Sequence, residues 1–382
     1  MLHGINMGSF LIGGMRMRSV GRFFMREKVL TASLLIAVLS MFFVPPDALY
    51  LYYIDWDVLM LLFSLMAVVA GLRQIGVFDA VSRFLMARAG GMRRLAVLLS
   101  VSCFFISMLV TNDVALISFV PLTVSMLAAV APEACAYIVS LETVAANLGS
   151  MATPIGNPQN LYLFGHYDMS VGLFLSAVMP ISALSLVLLL LACLPVRRRG
   201  VQATPGAGAA AVDRRRLALY AALFFLCVLS VLRIVPKAVC FGAVVLALFL
   251  AARRVLLRID YALLGTFACF FVFVGNIGRI PAVETLLSSA MRGHVLEAGI
   301  LASQAISNVP AAIMLAGFTN DAFALLRGVN IGGLGTLVAS LASLISFRLY
   351  MTAPGARAGR FLIAFTALNA AFLLILYGFA VH

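Results

Sequence analysis

A helix that enters residues 143–161 cannot leave them intact. The stretch reads TVAANLGSMATPIGNPQNL. Pro154 and Pro158 each remove a backbone donor and clash with the carbonyl four residues back. The same stretch carries Gly149, Gly156, Asn147, Thr153, Asn157, Gln159 and Asn160, yet the chain around it is 64% hydrophobic and 11% charged, with a mean hydropathy of +1.11. A soluble chain carries about 25% charged residues, so these values describe a polytopic helical membrane protein. Within a bilayer, an unwound segment survives only where protein or a water-filled cavity surrounds it. The stretch therefore predicts a broken helix, with freed carbonyls and amide side chains at membrane depth. Secondary transporters build ion and substrate sites in this way.

Other classes are disfavoured by what accompanies the apolar runs. A β-barrel would show short alternating segments. The net charge of +13 sits mostly at the ends of apolar runs, where arginines orient spans, and no aromatic-basic motif points to nucleic acid. The six cysteines are isolated, with no CxxC or Cys/His spacing for zinc or a disulfide framework. No nucleotide-binding loop is present, and no cofactor is expected. An intramembrane enzyme would want facing aspartates or a His/Glu cluster, and a channel would want a continuous pore.

Read in order, residues 1–28 form a basic cytoplasmic tail with Arg16, Arg18, Arg22, Arg26 and Lys28. Residues 29–196 form a first half, with a polar tip at 111–113 and a broken helix at 137–165. Residues 197–235 are a cytoplasmic linker and a connecting span. Residues 236–382 form a second half, with a tip at 307–310 and a broken helix at 331–347. The run 95–130 fits either two full spans or a re-entrant hairpin. The charge pattern permits both, and the costly Asn112–Asp113 pair between apolar arms favours the hairpin. Positive-inside counting puts the N-terminus in the cytoplasm and the C-terminus outside, for a multi-pass protein of the cell inner membrane.

The two halves resemble each other. Ile54-Asp55-Trp56 recurs as Ile259-Asp260-Tyr261, and Thr111-Asn112-Asp113 as Ser307-Asn308-Val309. Leu148-Gly149-Ser150 is matched to Leu334-Gly335-Thr336, which places Asn157 opposite Ser343 and Asn160 opposite Ser346. The expected fold is thus all-α and polytopic: an inverted-repeat transporter with two re-entrant hairpins, two broken helices and a site where the halves meet.

The motifs TNDVALISFVPLT, ANLGSMATPIGNPQNLYLF and SQAISNVPAAIML are similar to those of the ion transporter superfamily, which includes divalent anion:sodium symporters and citrate and arsenite permeases. The resemblance covers about residues 30–380. It implies an elevator-type homodimer that moves a small anion, a di- or tricarboxylate or an inorganic oxyanion, coupled to sodium or protons. A sodium/proton antiporter or an arsenite-type permease is the alternative on the same scaffold. It also implies substrate binding by Asn112, Thr153, Asn157, Ser307 and Asn308. One cation site would use Asn112, Asp113, Gly156 and Asn157, and a second would use Asn308 with the backbone around Ser340 and Ser343. Both tips depart from the family's Ser-Asn-Thr. The change removes the third hydroxyl and adds the charge of Asp113.

The residues carry plainer readings too. Asp113 serves as a sodium ligand, a titrating proton carrier or a water-facing helix cap. Asn112 and Asn308 cap helix starts well, and Asn157 and Asn160 suit interhelical hydrogen bonds. Glu142 reads as an interfacial carboxylate, with proton exchange alongside Asp113 as its functional alternative.

Overall fold

A computed structural model describes residues 27–86, 88, 90–197 and 212–382. The expected basic tail before residue 27, Arg198, Arg199 and most of the linker lie outside the described residues. The fold is all-α, and no strand occurs among the described residues. The helices are α1 Lys28–Met41, α2 Tyr50–Tyr53, α3 Trp56–Gln74, α4 Val77–Met86, α5 Met92–Leu109, α6 Asn112–Leu127, α7 Pro132–Ser150, α8 Pro158–His166 and α9 Val171–Ala192. After the linker come α10 Arg214–Val231, α11 Lys237–Ala252, α12 Tyr261–Ile277, α13 Pro281–Met291, α14 Val295–Ile306, α15 Asn308–Ala316, α16 Ala322–Gly332, α17 Leu341–Met351 and α18 Ala358–Val381. Five helical stretches among the described residues are long and apolar enough to cross a bilayer, or six if α12 and α13 count as one bent span. The 22 residues of α9 extend about 33 Å, enough for the hydrocarbon core. The chain is a polytopic membrane protein.

Two compact units are present. Residues 27–55 pack with 260–284. Within this unit Asn276 Nδ2 donates to Ser40 Oγ at 2.9 Å, and Arg279 donates to Asp47 at 2.7 Å and to the Tyr53 hydroxyl at 3.0 Å. Those two hydrogen bonds, Tyr53's first, hold the Arg279 guanidinium above its ordinary pKa. The second unit comprises 56–259 and 285–382, and all the expected site residues lie in it.

The second unit is built around α7. From Cys135 to Ser150 every residue of α7 except Tyr137 is buried, as expected for a helix enclosed by others on all sides. By contrast, α18 buries one stripe, Phe361, Phe365, Asn369, Phe372 and Leu376. Its other face exposes residues such as Ile363 and Leu374, an apolar surface of the kind that lipid covers.

Helices break close to the expected places, with different bounds. The first break separates α7 from α8 at 151–157, and α7 begins at Pro132 instead of residue 137. The second separates α16 from α17 at 333–340. Its first half starts at Ala322, nine residues before the expected 331, because Asp321 caps it by accepting from Ala324 N at 2.9 Å. The tips are also shorter. Helix α6 begins at Asn112 and α15 at Asn308, so Asn112, Asp113 and Asn308 stand in first helical turns.

Candidate functional site

The first hairpin is α5 and α6, turning at Val110 and Thr111; the second is α14 and α15, turning at Ser307. Ser307 adopts φ +75, a conformation that non-glycine residues avoid and that marks functional turns. The caps Thr111 and Ser307 make no side-chain capping bond. Asn112 and Asn308 are therefore not N-caps but the first helical residues, with amides free for other partners.

Asn112 Nδ2 donates to Asn147 Oδ1 at 2.9 Å. Asn147 Oδ1 also accepts from Ser340 Oγ at 3.0 Å, and Asn147 Nδ2 donates to Ser343 Oγ at 3.4 Å. In the other half, Asn330 Oδ1 accepts from Asn157 Nδ2 at 3.2 Å, and Asn330 Nδ2 donates to Asn160 Oδ1 at 2.7 Å. Asn157 and Ser340 each stand at the cap of the second helix of a broken pair. Thus the asparagine near the end of each first half-helix binds the cap residue, and the residue three further on, of the opposite half. The pairs share one offset of 183 (330 − 147, 340 − 157 and 343 − 160).

This offset corrects the sequence alignment. The counterpart of Gly149 is Gly332, not Gly335, and Asn157 matches Ser340 instead of Ser343. Packing says the same. A Cβ on Gly149 would run into the Phe104 carbonyl and lie 2.6 Å from Ser107 Oγ; one on Gly332 would lie 2.9 Å from Ile300 Cα and 2.8 Å from Ser303. Close backbone approach at small residues is how helices pack in lipid. Phe104 and Ser107 relate to Ile300 and Ser303 by 196 (300 − 104 and 303 − 107), the offset that also joins Asn112 to Asn308.

Both breaks are closed by side-chain amides, so several carbonyls expected to be free are occupied. Asn160 Nδ2 donates to the carbonyls of Ser150, Met151 and Thr153 at 3.0–3.4 Å. In the second break Gln304 Nε2 donates to Gly332 O at 2.8 Å and Leu334 O at 2.9 Å, while its Oε1 accepts from Thr336 N at 2.9 Å. Thr153 Oγ1 donates to Met108 O, and its counterpart Thr336 Oγ1 to Gln304 O.

The expected residues thus fall into connected groups. Asn112, Ser340 and Ser343 meet at Asn147. Asn157 joins them through Ser150, whose Oγ accepts from Asn157 Nδ2 at 3.2 Å and donates to Asn147 O at 2.9 Å. Ser307 and Asn308 attach to the second break, where Asn308 N donates to Ala339 O at 2.9 Å and Ser307 Oγ to the same carbonyl at 3.4 Å. Gly156 is buried against Ser150 O and Ser107 O, where a Cβ would collide. Thr153 spends its hydroxyl on the end of α5. Asp113 is partly exposed, and its N–H donates to Asn112 Oδ1 at 3.0 Å. The sequence reading passed over Asn330 and Gln304. The pattern that could have found Asn330 is Asn147-Leu148-Gly149 repeated as Asn330-Ile331-Gly332.

Four helices, α6, α8, α15 and α17, begin at this network. Their N-termini carry partial positive charge, although the N–H groups of Asp113, Asn160 and Asn308 are taken up by Asn112 Oδ1, Asn157 Oδ1 and Ala339 O. Lysine and arginine are absent from the network, so the helix starts, the asparagine amides and the serine hydroxyls are its polar donors. Such an arrangement can accept an anion, while amide, hydroxyl and backbone oxygens can accept a small cation.

A family model described as citrate transporter matches residues 22–326, most of the chain. The chain belongs to the citrate transporter family. Among relatives of this citrate transporter family member, the inner membrane protein YbiR of Escherichia coli K12 is 33% identical over 314 residues, covering 78% of this chain and 80% of that protein. An uncharacterized transporter of Methanocaldococcus jannaschii is 29% identical over 340 residues, covering 86% and 90%. A silicon efflux transporter of Oryza sativa subsp. japonica is 34% identical over 143 residues, 37% of this chain and 29% of that protein. As a member of the family, the chain is a multi-pass membrane transporter.

Proposed function

We propose that this transporter is a secondary active carrier of a small anion, coupled to sodium or protons, working by elevator-type alternating access. The reading rests on one observation: eight buried amide or hydroxyl side chains from both halves, Asn112, Asn147, Ser150, Asn157, Asn160, Asn330, Ser340 and Ser343, form one hydrogen-bonded network at the helix breaks, where four half-helices begin. Broken helices whose N-termini face an anion, with oxygens left for a coupling ion, are the recurring construction of secondary transporters. The exchange of partners between Asn147 and Asn330 supports a two-fold relation of the halves, as an inverted repeat would have. The substrate classes that fit are a di- or tricarboxylate, in keeping with the family's description, or an inorganic oxyanion. Asp113 favours a second reading, a cation/proton antiporter or arsenite-type permease, because it adds a carboxylate beside Asn112.

Anion uptake into sealed proteoliposomes, driven in turn by an imposed sodium gradient and an imposed pH gradient, tests this. Accumulation of citrate, another carboxylate or an oxyanion under one gradient is the expected result. Sodium-provoked proton flux without anion would favour the antiporter, and equilibration insensitive to either gradient would reject coupling.

A further inference from the structure

Outside the asparagine network, one side chain in the centre of the unit has no structural explanation. Glu142 lies ten residues into α7, about 15 Å along the helix from Pro132. The sequence reading placed it at the interface. The structure encloses it completely, at 0% exposure. Its Oε1 accepts from Thr123 Oγ1 on α6 at 2.6 Å. Its Oε2 is buried and has no hydrogen-bond partner among the described residues.

The groups that face Glu142 offer no positive charge. They are the thiols of Cys103 on α5 and Cys135 on α7, with Thr123 on α6. Of the other helices packed on α7, α9 carries no charged residue. Arg327 on α16 donates to Ala177 O, Tyr377 on α18 donates to Glu297 and Tyr350 on α17 has a buried hydroxyl without a partner. Arg348 on α17 is exposed and Arg360 on α18 is partly exposed. Among the described residues none forms an ion pair with Glu142.

An ionised carboxylate without water or a cation is one of the costliest groups a membrane protein can bury. A metal or sodium ion would need several more oxygens than Thr123 Oγ1 supplies, and no cluster of metal-ligating side chains occurs among the described residues. A proton needs only the carboxyl itself. We propose that Glu142 is a proton-binding site, separate from the asparagine network, and that it gives up its proton only when water reaches the α6–α7 interface. On the transport reading above, that condition ties proton release to the opening of one conformation. The placement suits such a role, because Glu142 sits five residues before Asn147 on α7, and Thr123 shares α6 with Asn112.

Infrared spectroscopy of the full chain in lipid reads this site without any substrate. At near-neutral pH the protein should show the C=O stretch of a protonated, buried carboxyl. Glu142→Gln should remove it, while Glu297→Gln leaves it. Thr123→Val, which deletes only the hydrogen-bond donor, should shift the band and covers the case in which Glu142→Gln fails to fold. No such band in the wild type, a band that survives Glu142→Gln, or one unmoved by Thr123→Val overturns the proposal. The same preparations, assayed for uptake, separate the two readings. A band without gradient-driven transport leaves the proton site standing and removes the carrier. Transport whose pH dependence is unchanged in Glu142→Gln removes the role of Glu142 in coupling.

Discussion

Asn147 and Asn330 make the same two contacts in opposite directions: each accepts from the cap residue of the other half's second broken-helix segment and donates to the residue three positions later. Neither contact is local in sequence, so both depend on the assembled unit. Replacing Asn147 by alanine leaves Asn112, Ser340 and Ser343 without this partner, and an unpaired buried polar group costs about 1–3 kcal/mol. Asn147→Ala and Asn330→Ala are each expected to lower the stability of the detergent-solubilised protein by at least about 2 kcal/mol. Unfolding midpoints of the two variants should fall together; a large loss in one and none in the other would contradict the matching roles.

Gly149 supports this geometry by letting α7 touch the backbone of α5. Gly149→Ala should cost about 1–3 kcal/mol or more through overpacking, since the nearest obstacle is the Phe104 carbonyl and not a flexible side-chain tip. Gly172→Ala is the control, because its Cβ would meet nothing within 4 Å. In an exposed helical position that change should be neutral or stabilise by up to about 1 kcal/mol. Thermal unfolding of both variants in one detergent makes the comparison.

The breaks and the hairpins were legible because proline, glycine and asparagine in an apolar chain leave few alternatives. The pairing of Asn112 with Asn308 was legible from the tips alone. The register of the broken helices was not. Leu334-Gly335 offered a false match to Leu148-Gly149, and the contacts that decide for Gly332 join residues more than twenty positions apart. Gln304 was hidden for a similar reason: its partners, Gly332, Leu334 and Thr336, belong to a different element. Glu142 was misplaced because distance from a predicted span end says nothing about what packs around the side chain. Six helices, α5, α6, α9, α16, α17 and α18, pack on α7, and only the tertiary structure shows it.

Asp113 stands at the second position of α6, where a carboxylate is favoured by the helix N-terminus, and it is partly exposed. Asparagine keeps the shape and removes the charge. If Asp113 takes part in cation binding, Asp113→Asn should fold normally yet lose coupling or change the coupling ion. Uptake measured against sodium concentration and pH should then flatten along the affected axis. Wild-type dependence on both would confine Asp113 to helix capping electrostatics.

Gln304 holds the second break from a neighbouring helix, through Gly332 O, Leu334 O and Thr336 N. Gln304→Leu preserves the bulk but leaves these backbone groups without the amide. Gly332 and Leu334 are buried, and a buried backbone group without a partner costs free energy comparable to a lost hydrogen bond, so the segment 333–340 should open more often. Because Thr336 N–H is one of the released donors, its amide should exchange with deuterium at least about tenfold faster, the change expected for about 1.4 kcal/mol of local stability. The first break is closed by its own Asn160 and should keep its protection. Hydrogen–deuterium exchange resolved over residues 151–157 and 333–340 would show whether the loss is confined to the second break. Equal acceleration in both would mean that the two breaks open as one unit and that Gln304 acts on the whole assembly.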